Sequence, residues 1–323
     1  MTMNSINTNA QALIALQALN TTNTQMSVTQ KRVSTGYRVA DARDDGGAFA
    51  VAQAVRSDVA GVIAVGEQLG GVKGILQTTF AALSVVSDTM KQVRAVLTRL
   101  ADAAISADQR QTYEEQYRLL TTQVSSFIDD AFYNGRTLLS TDASVGGGDI
   151  TAIRNESGGT FTINAVNGEG LKLDPDAFVI TAAQLTALTT LAEANYTAAN
   201  PTGTDWGDLT PAQQQTFIDA EIFHEKVSRA TTAIQSGGDF DDADRLISTA
   251  LNQFGSSMAF VDNQIRYNSQ KVDAMEGGLG ALVDADLAKE SSTLEALKVR
   301  QQLGVQTLGL ANQGPQVLLG LFR

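Results

Sequence analysis

The sequence predicts a mainly α protein, a long helical hairpin or coiled-coil bundle carrying a small α+β insert that contains β-hairpins. Three observations lead there. No proline occurs before Pro175, so nothing in the first half of the chain need interrupt a helix. Apolar residues recur at heptad and three-to-four spacing on both flanks. Between Asp142 and Leu173 the pattern switches to glycine clusters and short alternating runs.

From the N-terminus, Ala12, Leu19, Met26 and Val33 recur every seven residues, with Leu16 filling the intermediate position. Residues 88–132 form the most regular helical stretch, with Met90, Val93, Leu97, Leu100 and Ala104 on one stripe. The pattern changes after Ser140: Thr160-Phe161-Thr162-Ile163-Asn164 alternates between glycine-rich turns and predicts one or two hairpins. "VITAAQLTALTTLAEANYTAAN" and "LTPAQQQTFIDAEIFHEKVSRATTAI" then predict helices, the second with Thr210 as N-cap and Pro211 at the first helical position. From Asp239 a helical stripe resumes through Leu246, Ala250, Gln253, Phe254, Ser257, Met258, Val261 and Ile265. "EGGLG" at Glu276–Gly280 predicts a break.

Beyond that break two strings interleave with alternating spacings of four and three. Val283, Glu290, Leu297, Gly304, Ala311 and Leu318 form one; Leu287, Leu294, Gln301 and Leu308 form the other. This is a coiled-coil seam. Gly304 and Gly309 each weaken an isolated helix by about 1 kcal/mol, so the segment needs partners.

Composition narrows the function. A net charge of −12 argues against nucleic acid, whose phosphates need clustered Lys and Arg. There are no cysteines and one histidine, His224, which removes thiolate metal sites, disulfides, cysteine nucleophiles and multi-histidine centres. No run of 18 apolar residues predicts a membrane span, and the first residues lack the pattern of a cleaved signal peptide. Charge is also unevenly placed. Residues 1–30 contain no Asp, Glu, Lys or Arg, and neither do residues 301–322.

Two uncharged amphipathic ends cannot bury their stripes alone, and a lone pair still exposes apolar surface. Many copies packed together would cover it, and charge would be excluded because an unpaired buried charge costs several kcal/mol. Thirty helical residues span about 45 Å, so such ends would build a long rod. The patterning thus describes a self-assembling structural subunit. The alternative is a monomeric coiled coil whose ends pair only with each other.

Specific stretches then carry a family resemblance. "SINTNAQALIALQALNTTNTQM" with "QKRVSTGYRVADARDDGGAFAVAQAVRSD" resembles the N-terminal region of bacterial flagellins. "GALVDADLAKESSTLEALKVRQQLGVQTLGLANQGPQVLLGLFR" resembles their C-terminal region, and "FYNGRTLL" at Phe132–Leu139 the asparagine-glycine turn before their variable segment. The resemblance covers roughly residues 1–140 and 240–323, and it implies a domain plan. Residues 1–44 and 284–323 would be the halves of an inner coiled-coil core, 45–140 and 239–283 those of a helical polymerisation domain. Residues 141–238 would be a variable, outward-facing insert.

The resemblance further implies an extracellular filament subunit for motility, without cofactor, metal or enzymatic activity, exported unfolded through the flagellar type III apparatus. Its implied partners are other copies of itself, an export chaperone on the C-terminal segment, and the hook-associated and cap proteins. No nucleic acid and no membrane span are expected. A hook–filament junction protein of the same family is the nearest alternative; an enzyme hosted on a flagellin scaffold is a third.

Assembly contacts are expected at Leu13, Leu16 and Leu19 on the N-terminal stripe and at Leu287, Leu294, Leu297, Leu308 and Leu318 on the C-terminal seam. Just where the uncharged end stops, Arg32 together with Arg38, Arg43, Asp44 and Asp45 of "RVADARDD" resembles the family's intersubunit patch, with Gly46-Gly47 supplying flexibility. Two weaker motifs fail on their own chemistry. "DFDDADR" lacks the glycine and glutamate of a calcium loop, having Asp244 and Ala250 there, and is read as an acidic helix start. "HEK" at His224–Lys226 lacks the second histidine of a zincin, with Ser228 in its place. Trp206 is read as a packing anchor of the insert.

Overall fold

In the computed structural model, residues 9–320 are described, with side chains through Gln313. Seven helices account for most of it: α1 (Ala10–Thr35), α2 (Gly46–Leu100), α3 (Ala107–Asp129), α4 (Ala182–Ala199), α5 (Pro211–Ile234), α6 (Asp239–Val283) and α7 (Leu287–Gly320). One antiparallel hairpin joins β1 (Ile150–Ile153) to β2 (Thr160–Ile163), pairing Ile150 with Ile163 and Ile153 with Thr160. Helix starts follow local chemistry. Ser106, Thr181 and Thr210 each close a capping box with a glutamine three residues on, and Pro211 opens α5. Asp239, Asp241 and Asp242 occupy the first turn of α6, where the helix dipole favours acids.

The chain divides into two compact units, one of residues 1–64 with 268–323 and one of residues 65–267. The second holds the main core. On α2, Leu69, Leu76, Leu83, Met90 and Leu97 are fully buried at seven-residue intervals, and Val72, Thr79, Val86, Val93 and Leu100 form a second heptad string. Phe240, Ile247, Phe254 and Val261 of α6 repeat the same period, and Tyr117, Val124 and Ile128 of α3 join them. One described helix, α2, is also long and apolar enough, by length and composition only, to cross a membrane, and 17% of its most apolar window is buried.

Several expectations are corrected here. The 88–132 helix is two helices, because Leu100 ends α2 and Ala104 lies in the connecting turn. Asp102 accepts from the Ala104 N–H at 2.8 Å and Ser106 caps the next helix, so polar side chains compete with the helical ladder. On α6 the buried residue is Ile247, while Leu246 is exposed. Glu276–Gly280 does not break α6. Leu279 and Val283 pack with Val39, Ala52 and Phe49, and that burial outweighs glycine's weak propensity. The stop falls at Asp284–Asp286, where Asp286 caps α7 through the Ala288 and Lys289 N–H groups. Gly46-Gly47 are not a flexible link but the first turn of α2, capped by Asp45 at 3.1 and 3.0 Å to the Gly47 and Ala48 N–H groups.

The insert is only partly peripheral. Ile150, Ile163, Leu171, Leu173, Phe178 and Ala230 belong to the main core. Phe178 meets Tyr117 edge-on at 5.1 Å. The α4–α5 hairpin is mostly exposed and has its own cluster, in which Tyr196 meets Trp206 and Phe217 edge-on and those two rings lie tilted to each other. The predicted turn at Phe132–Leu139 is a two-residue turn: Asn134 and Gly135 have φ of 51° and 74°, and Tyr133 pairs with Arg136. Tyr133 lies flat against Gly74, where any Cβ would stand 2.6 Å from its ring.

Candidate functional site

Helices α1 and α7 pack antiparallel within the first unit. Polar contacts join them along the length. Asn9 Nδ2 donates to the Ala311 carbonyl at 2.7 Å, Gln301 Nε2 to Asn23 Oδ1 at 2.8 Å, and Arg32 Nη1 to Glu290 Oε1 at 3.2 Å. On α7 the residues turned inward are Glu290, Leu294, Leu297, Gln301, Gly304, Leu308 and Ala311, the two interleaved strings of the sequence. Leu297 is the most enclosed, at 4% exposure. Val283 departs from the string because it ends α6 in the Val39–Ala52 cluster, and Leu287 because it is exposed in the first turn of α7. Of Leu318 only the helical backbone lies among the described residues.

On α1 the inward heptad is Ala12, Leu19, Met26 and Val33, as the spacing predicts, but small residues take the intermediate position. Ala15, Thr22 and Thr29 turn inward, and Thr29 is buried. Leu16 is exposed. Small side chains at every second seam position let the two backbones approach closely. Leu13, Ile14, Leu16 and Val28 on α1, with Val299, Leu303, Val305 and Leu310 on α7, are left outside the pair. That is apolar surface on stretches almost devoid of charge, the composition of an association face.

Charge begins where the uncharged end stops. Lys31 Nζ reaches Asp41 at 2.8 Å and Asp44 at 2.7 Å. Asp44 Oδ2 also accepts from the Ala40 and Asp41 N–H groups, at 3.0 and 3.2 Å. Both carboxyls are held below the usual carboxylate range, in each case chiefly by the Lys31 hydrogen bond. Lys31 is raised by its bonds to Asp41 first and Asp44 second. The loop is then pinned to the α6–α7 turn. Arg38 and Val39 N–H donate to the Val283 carbonyl, Ala285 N–H to that of Gly36, and the Arg38 guanidinium to that of Leu282.

Four residues of the expected patch therefore have partners within the chain: Arg32 on Glu290, Arg38 on Leu282, Asp44 on Lys31, and Asp45 as the α2 cap. Arg43 alone keeps its side chain exposed with no partner among the described residues. Sequence reading placed Glu290 and Gln301 on the seam without their partners Arg32 and Asn23, and missed Lys31 and Asp41. The signal for Glu290 was a charge standing at a seam position.

The arrangement holds and presents helices; among the described residues no group of His, Asp or Glu is placed to hold a metal ion. The comparisons agree with this helical plan. Residues 6–144 match the bacterial flagellin N-terminal helical region, and residues 241–322 match the bacterial flagellin C-terminal helical region. Flagellin C of Rhizobium meliloti is 31% identical over 335 residues, covering 99% of this chain and 100% of its own length. A flagellin of Brucella melitensis is 30% identical over 324 residues, covering 99% and 100%. Flagellin FljK of Caulobacter vibrioides is 28% identical over 323 residues, covering 100% of both. With both flanks matched by the family and full-length relatives of similar size, the chain belongs to the bacterial flagellins.

Proposed function

We propose that the chain polymerises into the flagellar filament through the paired helices α1 and α7. As a flagellin it is a structural filament subunit and not an enzyme. The observation that carries the contact assignment is the apolar face that α1 and α7 leave uncovered after pairing, on stretches with almost no charge. In this reading Leu13 and Leu16 meet neighbouring subunits directly. Leu19, Leu294, Leu297 and Leu308 shape the pair that presents them, and Leu287 extends the face. Arg43 is the charge of the 31–45 loop available to a neighbour, while Arg32, Arg38, Asp44 and Asp45 hold that loop in place.

The domain plan follows: terminal helices innermost, the regions around α2 and α6 as the helical body, and the α4–α5 hairpin outermost. Export unfolded through the type III apparatus, a chaperone over the apolar C-terminal segment, and junctions with hook-associated and cap proteins complete the reading. The chain's lack of cysteine and its exposed Leu303, Val305 and Leu310 support them. Negative-stain microscopy of the purified chain after seeding tests the proposal: regular filaments are expected, and a dispersed or amorphous product would refute it.

A further inference from the structure

Helix α7 runs on through Pro315. A proline has no backbone N–H, so the carbonyl four residues earlier, that of Ala311, loses its helical donor. That is the carbonyl to which Asn9 Nδ2 donates, at 2.7 Å. Asn9 uses its other side-chain atom as well: Oδ1 accepts from the Ala12 N–H at 3.1 Å and caps α1. One amide thus starts one helix and supplies the hydrogen bond missing from the other, across 302 residues of sequence.

We propose that Asn9 and Pro315 form a register lock, in which the proline creates a single acceptor on α7 and Asn9 is the positioning residue that reads it. A regular helix offers no unused carbonyl in its interior, so a side-chain donor sliding along it finds nothing to distinguish one turn from the next. Removing one N–H marks one turn. Most of the seam is a poor register signal: small residues recur on α1 at 15, 22 and 29, and a slip of one heptad would again place small against large. The marked carbonyl breaks that repetition at the end of the pair farthest from the Arg32–Glu290 contact.

The test is a cycle of four full-length chains: parent, Asn9→Ser, Pro315→Ala, and both together. Serine caps a helix as well as asparagine does, but its hydroxyl ends a bond too short to replace the amide nitrogen. Alanine at 315 returns the N–H to Ala311. The readout is amide hydrogen exchange over residues 305–313 and 10–15, taken on the polymer where the parent assembles and on the soluble chain otherwise. A failure of the filament reading therefore leaves the cycle readable. Asn9→Ser should raise exchange about fivefold in the Pro315 chain, the worth of one hydrogen bond, and less than about twofold in the Pro315→Ala chain. Should Asn9→Ser abolish protection altogether, its return on adding Pro315→Ala supports the lock and its continued absence overturns it. Equal costs of Asn9→Ser in both backgrounds, or no protection of these segments in the parent, would also overturn it.

Discussion

Gly304 lies beneath Leu19: a Cβ on the glycine would stand 3.2 Å from Leu19 Cδ1. In sequence the glycine looks like a flaw in α7, yet the structure uses it as the hole into which a leucine of the opposite helix fits. Gly304→Ala should change stability by less than about 1 kcal/mol, because improved helix propensity offsets the few tenths of an ångström that Leu19 must yield. Gly304→Phe should cost about 1–3 kcal/mol by forcing the pair apart. Thermal melts of polymer followed by circular dichroism would separate the two; equal melting of both variants would show that Leu19 does not pack there.

Leu297 is the most buried residue of the seam, at 4% exposure. Leu297→Asp should place an unpaired carboxylate there at a cost of about 3 kcal/mol or more, and block polymerisation. The main core lies in the other unit and should keep its urea transition. Sedimentation and urea unfolding of the same sample check both halves; polymer in normal yield would contradict the seam assignment.

Thr79 sits fully buried on the heptad string of α2, and its Oγ1 has no hydrogen-bond partner among the described residues. Valine has nearly the same shape without the unsatisfied hydroxyl. Thr79→Val should therefore stabilise the protein by about 1 kcal/mol, read as a higher urea midpoint at unchanged slope. A lower midpoint would mean that the hydroxyl is satisfied in solution.

The Lys31–Asp41–Asp44 cluster gives the 31–45 loop a pH dependence whose sign can be worked out. Both carboxyls titrate below their usual range, so their contribution is present above the unfolded values and is lost as pH falls through the lower, folded ones. Lys31 titrates above its usual range, so its share is complete below the unfolded value and is lost as pH rises through the folded one. Protection of the Ala40 and Asp41 amides, corrected for intrinsic exchange, should hold across neutral pH and fall on the acid side of ordinary carboxylate titration. Asp44→Asn should diminish that acid step and leave only the share of Asp41; an undiminished step in Asp44→Asn would place the dependence elsewhere.

How much of this was legible in the sequence differs by element. The α7 seam was readable because period alone fixes which residues of a helix share a face. On α1 the same rule found Ala12, Leu19, Met26 and Val33 but chose Leu16 over Ala15, because hydrophobicity was taken as the guide where closeness of approach decides. Long heptad strings on α2 before residue 88 were equally visible in the spacing and went unread. The Glu276–Gly280 break failed because local propensity yields to packing by Leu279 and Val283. The partners of Arg32 and Arg38 lie more than 240 residues away in sequence and could not be read from composition.

The α4–α5 hairpin and the rest of the insert should respond differently to deletion. Replacing residues 182–222 by a short Gly-Ser linker removes the Tyr196–Trp206–Phe217 cluster but spares Phe178 and the hairpin β1–β2. Polymer should still form. Phe178→Ala, by contrast, should cost about 3–5 kcal/mol, as a buried aromatic against Tyr117. Urea unfolding and sedimentation of the two variants make the comparison; loss of polymer in the deletion alone would make the hairpin part of the subunit contact.

The central claim is that the face left open by the α1–α7 pair is the one buried by neighbouring subunits. Hydroxyl-radical footprinting of dilute chain and of polymer tests it residue by residue at Leu13, Ile14, Leu303 and Leu310, all more than half exposed. Strong protection of these four is expected in the polymer, while Leu185 and Leu191 on α4 should label equally in both states. Equal labelling of Leu13, Ile14, Leu303 and Leu310 in chain and polymer would contradict it.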